Sequence, residues 1–302
     1  MRYFLVAMFL TWSLLAAQNS AQRPHVLGVA HVAFRAGDLN KTGAFYENLL
    51  GYEEAFSLKD ANGATTIAFV KVNDRQYIEL FPGNSASDGQ LDHFALYTDD
   101  LHAMRQYLLA QQVPLLEDVH SGRVGNPFLT VRDPDGHHIE ILQYAPASLS
   151  TKSQGKFMPA GRISNHITHV GILVSSVGSS MKFYRDILGF REISRGGGGQ
   201  PNWVNLQAPD GSDYIELLPF AGVASATDLK TQNHFGLASS DVSQAVASLQ
   251  QRVAGNPLSA PIAVLTGGGL PPRANLFDPD GARVELIGPT SAVLSSTTTP
   301  SP

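Results

Sequence analysis

Histidine and glutamate residues recur along this chain in one order and at nearly constant spacing. The two sets are His31, Glu79, His93 and Glu140 in the first half, and His169, Glu216, His234 and Glu285 in the second. Successive members are 48, 14 and 47 residues apart in the first set and 47, 18 and 51 apart in the second. A packing role would tolerate other residue types at some positions, whereas a divalent cation requires imidazole or carboxylate at each ligand position. The pattern therefore predicts two quartets of metal ligands.

The composition limits what else the chain could do. It has 302 residues, of which 43% are hydrophobic, and this length predicts two globular domains. There is no cysteine, so thiolate metal sites, disulfides and thiol nucleophiles are excluded. The 21 basic residues do not exceed the 26 acidic ones, and a basic excess is what binding to a phosphate backbone needs. We therefore expect a small-molecule substrate as the partner and no binding to nucleic acid.

The predicted ligands lie in short apolar segments that are typical of β-strands. Each glutamate has apolar neighbours, as in Ile78-Glu79-Leu80, and alternation along a strand turns it to the opposite face from them. A Pro-Asp-Gly turn precedes three of the four glutamate segments. A helical stretch follows each histidine segment, and Gly51 and Gly189 are where two of these helices should end. Each quarter of the chain is thus predicted to be a module of one strand, one helix and about three strands.

The repeat also predicts the domain boundaries. Domain 1 covers residues 24–146, with modules 24–85 and 90–146, and domain 2 covers residues 164–289, with modules 164–221 and 231–289. A polar linker at 147–163 joins them, and the Ser/Thr/Pro-rich residues 290–302 are predicted to form a disordered tail.

Residues 1–21 have the pattern of a secretory signal peptide. Arg2 precedes an apolar run from Phe4 to Ala17, followed by small and polar residues. The run is shorter than the roughly 20 residues that span a bilayer, which argues against the alternative of an anchoring helix. We therefore expect a periplasmic or secreted protein without a stable membrane anchor.

These motifs resemble those of the vicinal oxygen chelate superfamily, which includes glyoxalase I, methylmalonyl-CoA epimerase, fosfomycin resistance proteins and extradiol dioxygenases. The stretch from His169 through Phe183-Tyr184 to Gly189 is similar to the glyoxalase I signature. The resemblance covers residues 26–288. It implies an α+β fold in which four βαβββ modules pair into two tandem domains with cupped mixed sheets. It also implies that both quartets bind a divalent metal ion, which could be Ni, Co, Fe, Mn or Zn.

The resemblance suggests roles for single residues as well. Four ligands leave two positions open on a six-coordinate ion, where a substrate could bind through vicinal oxygens. By resemblance to glyoxalase I, Glu140 or Glu285 could act as the catalytic base, or both could remain permanent ligands. Arg35 would be a substrate-binding residue, unless it is an ordinary arginine at the strand edge. We expect a metal-dependent lyase or isomerase, present as a monomer or homodimer.

Two other functions remain open. Extradiol dioxygenases also have two such domains, but the tyrosine that they carry three residues before an Asp-Pro turn is Thr130 or Asn275 here. A divergent dioxygenase is therefore one alternative. A non-catalytic binding or resistance protein, as in bleomycin resistance, is the other, although such binders usually lose the metal ligands.

Overall fold

The computed structural model describes residues 22–83, 89–196, 203–253, 262–267 and 270–289. The predicted signal peptide (1–21) and the predicted tail (290–302) lie outside these residues. The described residues form two eight-stranded mixed sheets, and each sheet is built from two modules of strand, helix and three strands. The predicted α+β fold of four paired modules is confirmed.

The first sheet contains both modules of the first half of the chain. Its strands are β1 (Gly28–Ala36), β2 (Glu53–Lys59), β3 (Thr65–Lys71), β4 (Tyr77–Pro82), β5 (Leu91–Tyr97), β6 (Leu115–Ser121), β7 (Pro127–Arg132) and β8 (His138–Leu142). They lie side by side in the order β2-β3-β4-β1-β5-β8-β7-β6. The four central strands are therefore the first and last strands of the two modules, which are the ones that carry the first quartet.

The second sheet repeats this arrangement. Its strands are β9 (Ile167–Val174), β10 (Arg191–Arg195), β11 (Val204–Gln207), β12 (Tyr214–Pro219), β13 (His234–Ala238), β14 (Val264–Gly267), β15 (Leu270–Phe277) and β16 (Arg283–Ile287). Their order is β10-β11-β12-β9-β13-β16-β15-β14. In both sheets the two histidine strands are antiparallel neighbours, and each pairs in parallel with the glutamate strand of its own module.

Short helices lie between strands along the chain. The helices are α1 (Leu39–Ala44), α2 (Leu101–Ala110), α3 (Leu149–Lys152), α4 (Val177–Met181), α5 (Ala226–Gln232) and α6 (Val242–Arg252). Four of them, α1, α2, α4 and α6, connect the first and second strand of each module, while α3 lies between the two sheets in the chain and α5 lies between the modules of the second sheet. Helices α1 and α4 continue as π-helical turns, and the chain then leaves the helix through Gly51 and Gly189 with positive φ, as predicted. None of the helices in the described residues combines the length and apolar character needed to span a membrane.

The faces of the two sheets that are opposite the quartets share one hydrophobic core. Phe34 of β1 packs on Phe235 of β13, with ring centroids 5.7 Å apart. Tyr46 donates a hydrogen bond to Asp278 of the second half, and Tyr184 donates one to Asp133 of the first. The tyrosines of the internal Phe-Tyr repeat, Tyr46 and Tyr184, thus connect the two halves reciprocally.

The segment predicted as a linker packs against the first sheet. It contains α3, and Ser153 just after this helix forms a hydrogen bond of 2.8 Å with the hydroxyl of Tyr77 on β4. The buried ammonium of Lys71 on β3 donates to the backbone carbonyls of Ser153 and Lys156. The segment therefore contributes to the surroundings of the first quartet as well as joining the halves.

Candidate metal centres

The first quartet meets at the middle of the first sheet. His31 on β1 and His93 on β5 direct their Nε2 atoms towards each other at 3.1 Å. Each Nε2 atom lies 3.5 Å from one carboxylate oxygen of Glu140 on β8. Ligand atoms of these three residues all lie within 4.8 Å of one another. Glu79 on β4 is next to them, but its Oε1 lies 3.2 Å from Nδ1 of His31, on the other side of the ring.

A carboxylate also lies behind the second histidine of this centre. Asp92 Oδ2 is 2.9 Å from Nδ1 of His93. Its other oxygen, Oδ1, forms an ion pair with Nη2 of Arg35 at 2.7 Å. A carboxylate at Nδ1 orients an imidazole and leaves its Nε2 lone pair for a metal. Arg35 thus contacts the residue that orients His93, and direct contact between Arg35 and substrate stays a prediction.

The two glutamates of the first centre have opposite pKa shifts. Burial raises the pKa of Glu79 to about 8, and the nearby charges of Glu140 and Asp92 add to this effect. Burial also acts on Glu140, but the hydrogen bond from His31 and the charges of His31 and His93 outweigh it and lower its pKa. Near neutral pH, Glu140 is therefore the ionised member of the pair.

A cavity of about 480 Å³ opens onto the first centre. Apolar side chains from β2, β3, β4 and β7 form much of its wall, among them Leu58, Phe69, Phe81 and Phe128. Polar groups lie at other points of the wall, among them His120, Arg123, Asn126, His138 and Tyr144. The cavity thus combines the side chains of the first centre with a wall that is partly apolar and partly polar.

The second quartet meets at the equivalent place in the second sheet. The Nε2 atoms of His169 on β9 and His234 on β13 are again 3.1 Å apart. Glu216 Oε2 lies 3.3 Å from Nε2 of His234, and Glu285 Oε2 lies 3.4 Å from Nε2 of His169. Here the three residues whose ligand atoms all lie within 4.8 Å are His169, Glu216 and His234. The structure thus brings together both predicted quartets.

Both glutamates of the second centre are held as carboxylates. Burial opposes ionisation of Glu285, but the hydrogen bond from His169 and the charges of His169, His234 and Arg283 lower its pKa to about 2. The pKa of Glu216 is lowered as well, because the hydrogen bond from His234 outweighs the effect of burial. Burial and the charge of Arg283 lower the pKa of His234.

The donor atoms of the first centre fit a divalent transition metal. Two imidazole nitrogens and a carboxylate in mutual contact suit Mn, Fe, Co, Ni or Zn, and such a set leaves coordination positions free. His31, His93 and Glu140 would hold the ion directly, with Glu79 in reach on the adjacent strand.

Sequence reasoning did not identify three polar residues at this centre. Asp92 directly precedes a predicted ligand, and the dipeptide Asp-His, which is Asn-His in the second half, was the available signal. His120 and His138 line the cavity but have no counterpart in the repeat, so the spacing pattern could not select them.

Comparison with known proteins agrees with this architecture. Residues 28–141 and 166–286 match the family model of the Glyoxalase/Bleomycin resistance protein/Dioxygenase superfamily. Metapyrocatechase 2 of Cupriavidus necator is 26% identical over 250 residues, which cover 76% of this chain and 74% of that protein. The 2,3-dioxygenase LapB from Pseudomonas sp. KL28 superimposes with a TM-score of 0.68 at 16% identity, covering 89% of this chain and 94% of LapB. The Mn(II)-bound glyoxalase from Novosphingobium aromaticivorans gives 0.66 at 19% identity, covering 88% and 83%. At these identities, the likeness to the two structures shows the fold.

Proposed function

Because the chain belongs to the Glyoxalase/Bleomycin resistance protein/Dioxygenase superfamily, we propose that it is a metal-dependent lyase or isomerase. The reaction takes place at the first centre, on a small substrate with vicinal oxygens. One observation carries the proposal: the Nε2 atoms of His31 and His93 and the carboxylate of Glu140 converge at the floor of a cavity of about 480 Å³. A cavity of this size holds a small organic molecule.

The residues of the first centre divide the chemical work. A divalent ion bound there would polarise the substrate oxygens and stabilise negative charge on them. If Glu140 is released from the ion, it can accept the proton from the carbon next to the substrate carbonyl. Glu79 provides a second carboxyl group on the neighbouring strand, from which a proton can return to the substrate. Asp92 keeps the ring of His93 in place through its Nδ1 atom.

The cavity wall indicates what the remainder of the substrate looks like. Leu58, Phe69, Phe81 and Phe128 present an apolar surface next to the centre. Burial of such surface favours a substrate with an aliphatic or aromatic portion attached to its vicinal oxygens.

A panel of metals and substrates tests the proposal. The protein is reloaded with Mn, Fe, Co, Ni or Zn and assayed with 2-oxoaldehyde hemithioacetals, epimerisable acyl thioesters and catechols, with oxygen consumption recorded. We expect turnover without oxygen uptake, and a loss of roughly a hundredfold or more in kcat for Glu140→Gln, the usual scale of general-base catalysis. Glu285→Gln is the matched control and should retain activity. Tight ligand binding without turnover under any metal would instead support a binding protein.

A specific observation favours a second candidate, a ring-cleaving dioxygenase. Two histidines and one carboxylate in mutual contact are the ligand set of many non-haem iron oxygenases, and the first centre presents this set as His31, His93 and Glu140. The similarity to Metapyrocatechase 2 extends over most of the chain and supports this candidate too. Oxygen uptake with a catechol in the iron-loaded protein would select it over the lyase or isomerase.

We also propose that the protein is exported. The charged start and short apolar run of residues 1–21 support a cleavable signal peptide. N-terminal sequencing of natively expressed protein tests this: a mature chain that starts shortly before Arg23 is expected, and an intact Met1 on the cytosolic product would contradict export.

A further inference from the structure

Two arginines lie at the second centre, and the first centre has no arginine at the equivalent positions. Arg283 lies two residues before Glu285, where the first half has His138 before Glu140. On β15, Arg273 pairs with Ile287 of β16, which lies two residues after Glu285. In the first sheet the equivalent residue on β7 is Phe128, which pairs with Leu142, two residues after Glu140. The second quartet therefore has two guanidinium groups where the first has an imidazole and a phenyl ring.

The guanidinium of Arg283 packs against the imidazole ring of His234, one of the predicted ligands. Its Nη2 lies 2.6 Å from Nδ1 and 3.0 Å from Nε2 of His234. Nε2 is the atom that faces His169 and both glutamates of this quartet. Because Nη2 lies within 3.0 Å of both ring nitrogens, it packs against the ring and not along the Nε2 lone pair, and it puts a positive charge next to the position that a metal ion would take. The Nε atom of Arg283 is buried and has no hydrogen-bond partner among the described residues.

The charges at the two centres differ accordingly. Glu216 and Glu285 contribute two negative charges, and Arg283 and Arg273 contribute two positive ones, the latter with Nε 4.0 Å from Glu285 Oε1. At the first centre the ion pair between Arg35 and Asp92 cancels within itself, and Glu79 and Glu140 have no arginine of their own. Among the described residues, the carboxylate of Glu140 at the first centre thus has no arginine partner, whereas Glu285 at the second centre lies close to two arginines.

The histidines of the second centre are also less accessible. His169 and His234 are 0% exposed, against 6% for His31 and 8% for His93. The rings lie over Gly171 and Gly236 on the adjacent strands, where a Cβ atom would overlap them, whereas Ala33 and Ala95 take these places in the first sheet.

From these differences we propose that the second quartet does not bind a metal: Arg283 and Arg273 supply the positive charge that its two carboxylates need, and the chain binds one divalent ion, at the first centre. The second centre is then an internal ion-pair cluster that stabilises the second sheet. This assignment holds whichever reaction the first centre catalyses.

Metal stoichiometry tests the proposal without reference to activity. The EDTA-stripped full-length protein is titrated with Mn(II) by calorimetry, and bound metal is counted after gel filtration. We expect one Mn(II) per chain, no tight binding in the His93→Ala variant, and unchanged binding in His234→Ala. Two ions of comparable affinity in the wild-type protein, or one ion retained by His93→Ala, would overturn the proposal.

A second pair of variants asks whether the arginines are the cause. The double variant Arg273→Phe/Arg283→His introduces the residue types of the first centre, and it should bind a second Mn(II) that Glu285→Gln then removes. Arg283→Lys, which retains the charge, should stay at one ion. A folded double variant, by circular dichroism, that still binds one ion would show that the arginines do not exclude the metal. If the double variant does not fold, the wild-type and histidine titrations still decide the stoichiometry.

Discussion

His93 is held from behind by a carboxylate, and this contact distinguishes the first centre at the scale of single residues. Asp92 accepts from Nδ1 of His93 at 2.9 Å and is itself paired with Arg35 at 2.7 Å. Burial works against the ionisation of Asp92, but the hydrogen bond from His93 and the charges of His93 and Arg35 outweigh it and lower its pKa. The chain from Arg35 through Asp92 to His93 therefore sets the orientation of one metal ligand.

Replacing Asp92 by asparagine should weaken metal binding. The amide cannot stabilise the imidazole as a carboxylate does, and loss of such a partner typically costs about 10–100-fold in metal affinity. Calorimetric titration of the stripped variant with Mn(II) measures the effect. Asp118→Asn removes an exposed carboxylate of the same sheet and serves as the control with unchanged affinity. Equal affinities of Asp92→Asn and wild type would show that the contact is incidental.

Metal titration can distinguish two roles of Arg35: holding Asp92 in place and binding substrate directly. If it acts through Asp92, Arg35→Gln lowers Mn(II) affinity in the absence of substrate, by less than Asp92→Asn because its side chain is partly exposed. We expect a severalfold weaker Kd in the same titration. A raised KM with unchanged metal affinity would instead support direct contact with substrate.

At the scale of elements, the two Asp-Pro-Asp-Gly turns differ in what surrounds their first carboxylate. Asp133, before β8, accepts from Nδ1 of His137 at 2.8 Å and from Tyr184 at 2.9 Å. These partners outweigh the effect of burial and lower its pKa. Asp278, before β16, has Ala282 in the place of the histidine, and burial raises its pKa to about 7. The same turn thus holds one carboxylate and one carboxylic acid.

Replacing these aspartates by asparagine should have opposite dependence on pH. The folded state retains the proton of Asp278 between about pH 4 and 7 while the unfolded state releases it, so this group lowers stability as pH rises through that window. Asp278→Asn removes this pH-dependent loss of stability, so its free energy of unfolding should rise relative to that of the wild type as pH increases from 4.5 to 7.5. Asp133 stabilises the fold only while ionised, so the deficit of Asp133→Asn should be largest above about pH 4 and shrink below it. Urea unfolding between about pH 3 and 7.5 measures both, and parallel profiles would contradict the assignment.

On the scale of the whole molecule, the two halves share one core and exchange polar contacts. Phe34 and Phe235 meet between the sheets, and each of Tyr46 and Tyr184 donates to an aspartate of the opposite half. The second half therefore contributes to the fold of the first, and the first to the fold of the second.

The tyrosine contacts should contribute unequally to stability. Tyr184→Phe removes a bond of 2.9 Å to an ionised carboxylate and should cost about 1.5–3 kcal/mol, whereas Tyr46→Phe removes one of 3.4 Å to a largely protonated carboxyl and should cost about 0.5–1.5 kcal/mol. Urea denaturation at pH 6 gives both values. Because the core is shared, unfolding of either variant should follow a single transition. Separate transitions for the two halves would show that they fold independently.

The internal repeat by itself was enough to predict the modules and the candidate ligands. Alternation places Glu79 and Glu140 on the face opposite their buried neighbours, and strand-helix-strand periodicity places the histidine strands next to the glutamate strands. The four strand-helix-strand modules follow from these local signals, whereas their pairing into two cupped sheets was implied by the resemblance to the vicinal oxygen chelate superfamily. The absence of cysteine restricted the ligand types in the same way.

Only the tertiary structure distinguished the two quartets, which look equivalent in the sequence. Spacing defines which face a side chain occupies, but not which nitrogen of His31 meets Glu79, because this depends on ring orientation across neighbouring strands. The position of Arg283 over His234 likewise depends on the register of two strands whose residues are 49 positions apart. Contacts between distant strands, and the charges they bring together, are set when the sheet assembles, and they distinguish two ligand patterns of nearly equal spacing.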